Sequence, residues 1–158
     1  MPSSPALIRL RVVWVTGMLV VVGGCKATHP VADPAATHPP PPDRILIPSY
    51  LEATPGSGLV SVTRDAGSQN PECTDLQVRV AGQTVALLRT SEKVILHLPP
   101  GKHILSVTGE GGNVCGPGAP SQAEMHAVQI TAAPEHPVDV RIGFDWTGRI
   151  HIASSPSH

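Results

Sequence analysis

From Leu59 to Ile152 the chain repeats one pattern, short apolar runs with a period of two. Val60 and Val62 alternate with Ser61 and Thr63. Leu76, Val78 and Val80 alternate with Gln77 and Arg79, and Val85 and Leu87 follow. Val94, Leu96 and Leu98 are spaced two apart, as are Leu105 and Val107, and Val128 and Ile130. Val138, Val140, Ile142 and Phe144 alternate with Asp139, Arg141 and Gly143, and Ile150 and Ile152 close the set. Successive side chains of an extended strand point to opposite faces, so each run can bury one face and wet the other. Turn chemistry separates the runs: Ala81-Gly82, Thr90-Ser91, Pro99-Pro100-Gly101, Gly109-Glu110-Gly111-Gly112, Ala133-Pro134-Glu135 and Asp145-Trp146-Thr147-Gly148. Together these predict an all-β domain over residues 58–153, a small antiparallel β-sandwich or a partly closed barrel. That length is enough for one core. Tyr50, Phe144 and Trp146 are the only aromatic residues after Trp14, so the core must be built from Val, Ile, Leu and Ala. Residues 154–158 read as a flexible tail.

Upstream the pattern stops. Residues 27–58 carry Pro30, Pro34, the run Pro39-Pro40-Pro41-Pro42, Pro48 and Pro55. Successive prolines fix φ and remove amide donors, which excludes helix and central strand. The expectation is a disordered, semi-stiff spacer with a reach of up to ~100 Å at about 3.1 Å per residue. Ile45-Leu46-Ile47 is its one apolar patch, read as a sticky spot in a linker, with docking as an edge strand the alternative.

Before the spacer, Arg9 and Arg11 precede about eleven mostly apolar residues, the length of a signal peptide and too short to span a bilayer. Val22-Gly23-Gly24-Cys25 resembles the bacterial lipobox. The resemblance implies cleavage between Gly24 and Cys25 and acylation of Cys25, with the covalent lipid (palmitate and diacylglycerol) as the only prosthetic group. Two or more acyl chains anchor stably where one is marginal. The expected layout is a signal peptide at 1–24, a lipidated N-terminus and Pro-rich tether at 25–57, the sandwich at 58–153 and the tail. Lys26 in place of an Asp after the Cys favours the outer membrane, facing the periplasm. Without residues 1–24 the chain has 9 basic and 12 acidic residues, a net of -3. Such a chain lacks the basic face that nucleic-acid binding requires.

Cys73 and Cys115 are the other two cysteines. In an exported protein the simplest reading pairs them as a disulfide, closing a loop of about forty residues worth roughly 4 kcal/mol by chain-entropy reasoning. A metal pair or a reactive thiol would need supporting ligands nearby, and the sequence shows none.

Two stretches carry a second resemblance. Residues 76–86, LQVRVAGQTVA, resemble the hairpin of PEGA-like envelope domains, and Leu98-Pro99-Pro100-Gly101-Lys102-His103 matches their turn before a returning strand. With Thr63-Arg64-Asp65, Cys73, Cys115-Gly116 and Arg141-Ile142-Gly143, the arrangement is similar to small uncharacterised proteobacterial lipoproteins of the Burkholderia type. The resemblance implies a β-sandwich near a bacterial surface and no particular activity. Ala81 departs from the pattern, which has Asp there. Ala resists the positive φ of a type I′ turn, so a type I turn with a bulge at Gly82 is expected.

Candidate chemistry is thin. Eight histidines are present, but no pair has metal-ligand spacing. His97 and His103 flank the Pro-Pro-Gly turn and are the best pair, since a hairpin there would face them toward each other. No nucleophile elbow or phosphate loop appears, and Glu92 and Glu110 have no recognisable partner, so no metal site and no catalysis are expected. Arg64 with Asp65, and Arg141 with Asp139, read as cross-strand pairs on a solvated face. Trp146 and Arg141 are the candidate partner contacts; the turn of Trp146 does not need a large aromatic, and the favoured reading is that it folds back to plug one end of the sandwich, with a partner anchor the alternative. The expectation is a non-enzymatic envelope lipoprotein with a binding or structural module, its partner an envelope protein or the cell wall. One alternative is an inhibitor or solute-binding lipoprotein of the lysozyme-inhibitor kind, using the loop at residues 109–121; a lesser one is a metal carrier or enzyme, which would need a concave site joining His97, His103 and a carboxylate.

Overall fold

The computed structural model describes residues 37–66, 75–109, 125–144 and 149–157. Eight strands form: β1 (Gly58–Arg64), β2 (Leu76–Val80), β3 (Gln83–Leu88), β4 (Lys93–Leu98), β5 (Gly101–Gly109), β6 (His126–Ala132), β7 (Val138–Phe144) and β8 (Ile150–Pro156). They make two four-stranded sheets, ordered β4-β1-β7-β8 and β3-β2-β5-β6. The chain is therefore an all-β sandwich, with two separate sheets and no closed barrel. Val60, Val62, Val78, Val80, Leu96, Leu98, Leu105, Val107, Val140 and Ile142 face inward and are buried, as the alternation requires.

The expected antiparallel sandwich is found, with five of its six strand pairings antiparallel, and four details differ. First, the sixth pairing, β1 with β7, is parallel, with Val60 opposite Val138 and Val62 opposite Val140. Periodicity reports which face is buried and carries no information on direction. Second, Ser154, Ser155 and Pro156 are not a tail. They continue β8 opposite Val140, Asp139 and Val138. An edge strand with an exposed outer row has no apolar alternation to betray it.

Third, the β2–β3 hairpin closes with Ala81 at φ 47 and Gly82 at φ 83, both positive, as in a type I′ turn. The bulge falls elsewhere: Val78 pairs with Ala86 but Arg79 pairs with Thr84, leaving Val85 as the extra residue.

Fourth, residues 37–57 are not a free tether. Two 3-10 turns, Pro42–Arg44 and Pro48–Leu51, lie against the sandwich, and Ile45, Ile47 and Tyr50 pack on its core. This strap crosses the seam between β3 and β4, the neighbouring edges of the two sheets. The bulged Val85 carbonyl accepts hydrogen bonds from the backbone N–H groups of Leu46 (2.9 Å) and Ile47 (3.3 Å). The proline run still does what its chemistry demands, since it contributes no ladder of its own.

Where the strap ends, Gly58 opens β1. A Cβ there would lie 2.4 Å from the Ala133 nitrogen and 2.8 Å from the Ala132 carbonyl carbon, so only glycine fits.

Candidate functional site

The strap is pinned by a buried carboxylate. Glu92, directly before β4, is 2 % exposed. Its carboxylate receives both terminal nitrogens of the Arg44 guanidinium, one at 2.8 Å, in the fork geometry that suits a planar cation. The Arg89 backbone N–H donates to Glu92 Oε2 at 2.7 Å, which ties the carboxylate to the β3–β4 turn. Asp75 extends the network, 3.8 Å from Arg44 and 2.6 Å from Arg89. The strap's backbone joins on the same side: His38 N–H donates to Ser91 C=O (3.2 Å), and Lys93 N–H donates to His38 C=O (3.0 Å). Glu92 is thus partnered, contrary to expectation. Its partner lies 48 positions upstream. Arg44 is the one basic residue among residues 27–58, directly before the apolar patch, and that was the available signal.

Strap and strand β4 enclose a groove of about 510 Å³. Thr37, His38, Pro39, Pro40, Ile45 and Leu51 come from the strap, and Lys93, Val94, Ile95 and His97 from β4. Lys93, Ile95 and His97 are alternate residues on the outward face of the strand, while Val94, Leu96 and Leu98 fill the core. Ile95 is 45 % exposed and Leu51 38 %. Among the described residues no carboxylate lines the groove; Glu92 lies behind it, with Oε1 3.9 Å from His38 Nδ1.

A second polar cluster occupies one pole of the sandwich. Arg64 follows Val60 and Val62 on the inner face and is 1 % exposed. It reaches across to the other sheet, where Nη1 donates to the Leu88 carbonyl at 2.9 Å, and its guanidinium lies 5.5 Å from the Phe144 ring centroid. Burial pushes its pKa down to about 10, against the pull of Asp75 and Glu92, so it stays charged at neutral pH. Arg141 pairs with Asp65 rather than with Asp139: Nε lies 3.1 Å from Oδ1, and Nη2 makes a closer contact. Its side chain is half-buried and already engaged, which leaves less of it for a partner. Asp139 instead accepts from the Ser61 hydroxyl. Burial opposes its ionisation, but Ser61, Lys93 and Arg141 together hold its carboxyl below the usual range.

The strand ends at this pole flank three segments, 67–74, 110–124 and 145–148. Cys73, Cys115 and Trp146 fall in them and lie outside the described residues, as do Gly24 and Cys25.

His97 and His103 do not face each other. The turn between β4 and β5 crosses from one sheet to the other, so no ladder pairs them. His97 lines the groove, and His103 Nε2 lies 2.8 Å from the Pro99 carbonyl. Among the described residues no group of three or more His, Cys, Asp or Glu is placed to hold a metal ion.

Compared with protein-family models, with curated proteins and with solved structures, the chain matches none.

Proposed function

We propose that the protein is a lipid-anchored envelope protein whose sandwich is a non-enzymatic binding or structural module held close to the membrane. The observation that carries the reading is the strap. Eleven residues separate Cys25, the lipobox cysteine, from Thr37, where the docked strap begins. At 3.3–3.6 Å per residue they reach at most about 40 Å, well short of the ~100 Å expected of a free spacer. A chain meant only to project its domain has no use for a buried bidentate ion pair that shortens its leash. The leader's charge and length, the small residues before Cys25 and the resemblance to PEGA-like envelope domains point the same way.

The test is palmitate labelling of the full chain in a bacterial host, with Cys25→Ala as control. Label should enter the wild type and fractionate with the outer membrane. Label persisting in Cys25→Ala would overturn the anchor.

A further inference from the structure

Resting on that anchored reading, we infer that the groove face of strand β4 is a membrane-contact surface, laid against the anionic headgroups and upper acyl region of the bilayer that holds the anchor. Three observations converge on it. The chain from Cys25 arrives at the groove itself, because Thr37, His38, Pro39 and Pro40 form one wall. The eleven residues between Cys25 and Thr37 lead into the domain at this wall, so this face lies nearest the anchor's attachment and meets the bilayer at high effective concentration.

Next, Ile95 and Leu51 stand exposed there, beside the partly buried Ile45. Apolar side chains beside a cationic one suit the boundary between headgroups and acyl chains. Finally, charge is segregated. The chain after residue 24 carries a net of -3, yet among the described residues that line the groove the one charged side chain is Lys93, with Glu92 behind it, 3.9 Å from His38. An anionic surface would repel the molecule as a whole and accept this face. Ile104 on β5 is as exposed as Ile95 but lies on the other sheet, so it serves as an internal control.

The experiment uses the full chain, expressed in bacteria with benzoylphenylalanine in place of Ile95, Leu51 or Ile104 and irradiated in intact envelopes. Intact mass first reads the acyl groups on Cys25. If they are absent, the anchor reading fails and the surface loses its premise. With acylation present, phospholipid adducts should form at positions 95 and 51 several-fold more than at 104, and Lys93→Glu should lower the adduct at 95. Adducts to another polypeptide or to the chain's own acyl group would overturn the membrane contact while leaving the anchor standing. So would equal labelling at all three positions, or none at any.

Discussion

Ala81 holds a positive φ of 47 in a two-residue turn, a conformation that brings an alanine Cβ too near the following carbonyl. The strain persists because the β2–β3 register and the Ala81 N–H bond to the Ile104 carbonyl (3.1 Å) fix the backbone around it. Asn tolerates this region, so Ala81→Asn should stabilise the domain by about 0.5–1 kcal/mol. Thermal or denaturant unfolding checks it, and an unchanged midpoint would mean that the turn relaxes at no cost. Gly58 is the opposite case. Its Cβ has nowhere to go, because the obstructing atoms belong to the Ala132–Ala133 backbone. Gly58→Ala should therefore cost about 1–3 kcal/mol, the usual range for overpacking, read from the same unfolding curves.

At the scale of elements, one side chain, Glu92, adds the ion pair to the backbone bonds and apolar packing that hold the strap beside strand β4. Removing Glu92 strands the Arg44 guanidinium in a site that is 8 % exposed, and breaking a buried pair in this way typically costs about 3–5 kcal/mol. The strap can escape that cost by leaving the surface, which makes local opening the expected response. In the full chain, trypsin should cut after Arg44 on the order of a hundredfold faster in Glu92→Ala than in the wild type. Glu52→Ala, an exposed change on the same segment, should leave the rate alone. Equal cutting in Glu92→Ala and wild type would show that the ion pair does not pin the strap. The same elements mark what a sequence can disclose. Strands with one buried face were readable because burial imposes alternation, as in Leu76, Val78 and Val80. The strap was legible only at Ile45-Leu46-Ile47, whose docking was the lesser expectation and whose Ile45 bridges Ala86, since a docked proline segment has no period and its clasp joins Arg44 to a residue 48 positions away. The parallel pairing of β1 with β7 and the far end of β8 were hidden for a related reason. Direction and edge position depend on neighbours that the local pattern does not record.

For the whole molecule, the two seams between the sheets are closed differently. The strap covers the seam between β3 and β4, whereas β6 and β8 approach each other directly. All eight strands have an end at the pole of Arg64, where the Arg64 N–H donates to the Glu92 carbonyl at 2.9 Å, so the strap's clasp adjoins it. Leu76 and Gly109 are opposite partners on the adjacent strands β2 and β5. Cys73 lies three residues before Leu76 and Cys115 six after Gly109. At up to 3.6 Å per residue both segments are long enough to bring the two Cα atoms within the ~6 Å that a disulfide needs. Their pairing would join the strand ends of one sheet at the pole where Arg64 already ties that sheet to the other. A bond closing a loop of this size is worth about 4 kcal/mol, which in a domain of about a hundred residues corresponds to a melting temperature higher by on the order of 20 °C. Non-reducing peptide mapping of protein taken from the envelope should yield a Cys73–Cys115 linked peptide, and reduction should lower the melting temperature by about that amount. Two free thiols in the mapped protein would exclude the pairing. A linked peptide whose reduction leaves the melting temperature unchanged would show instead that strand pairing alone holds the pole, with the chain-entropy term spent in a denatured state that is already compact.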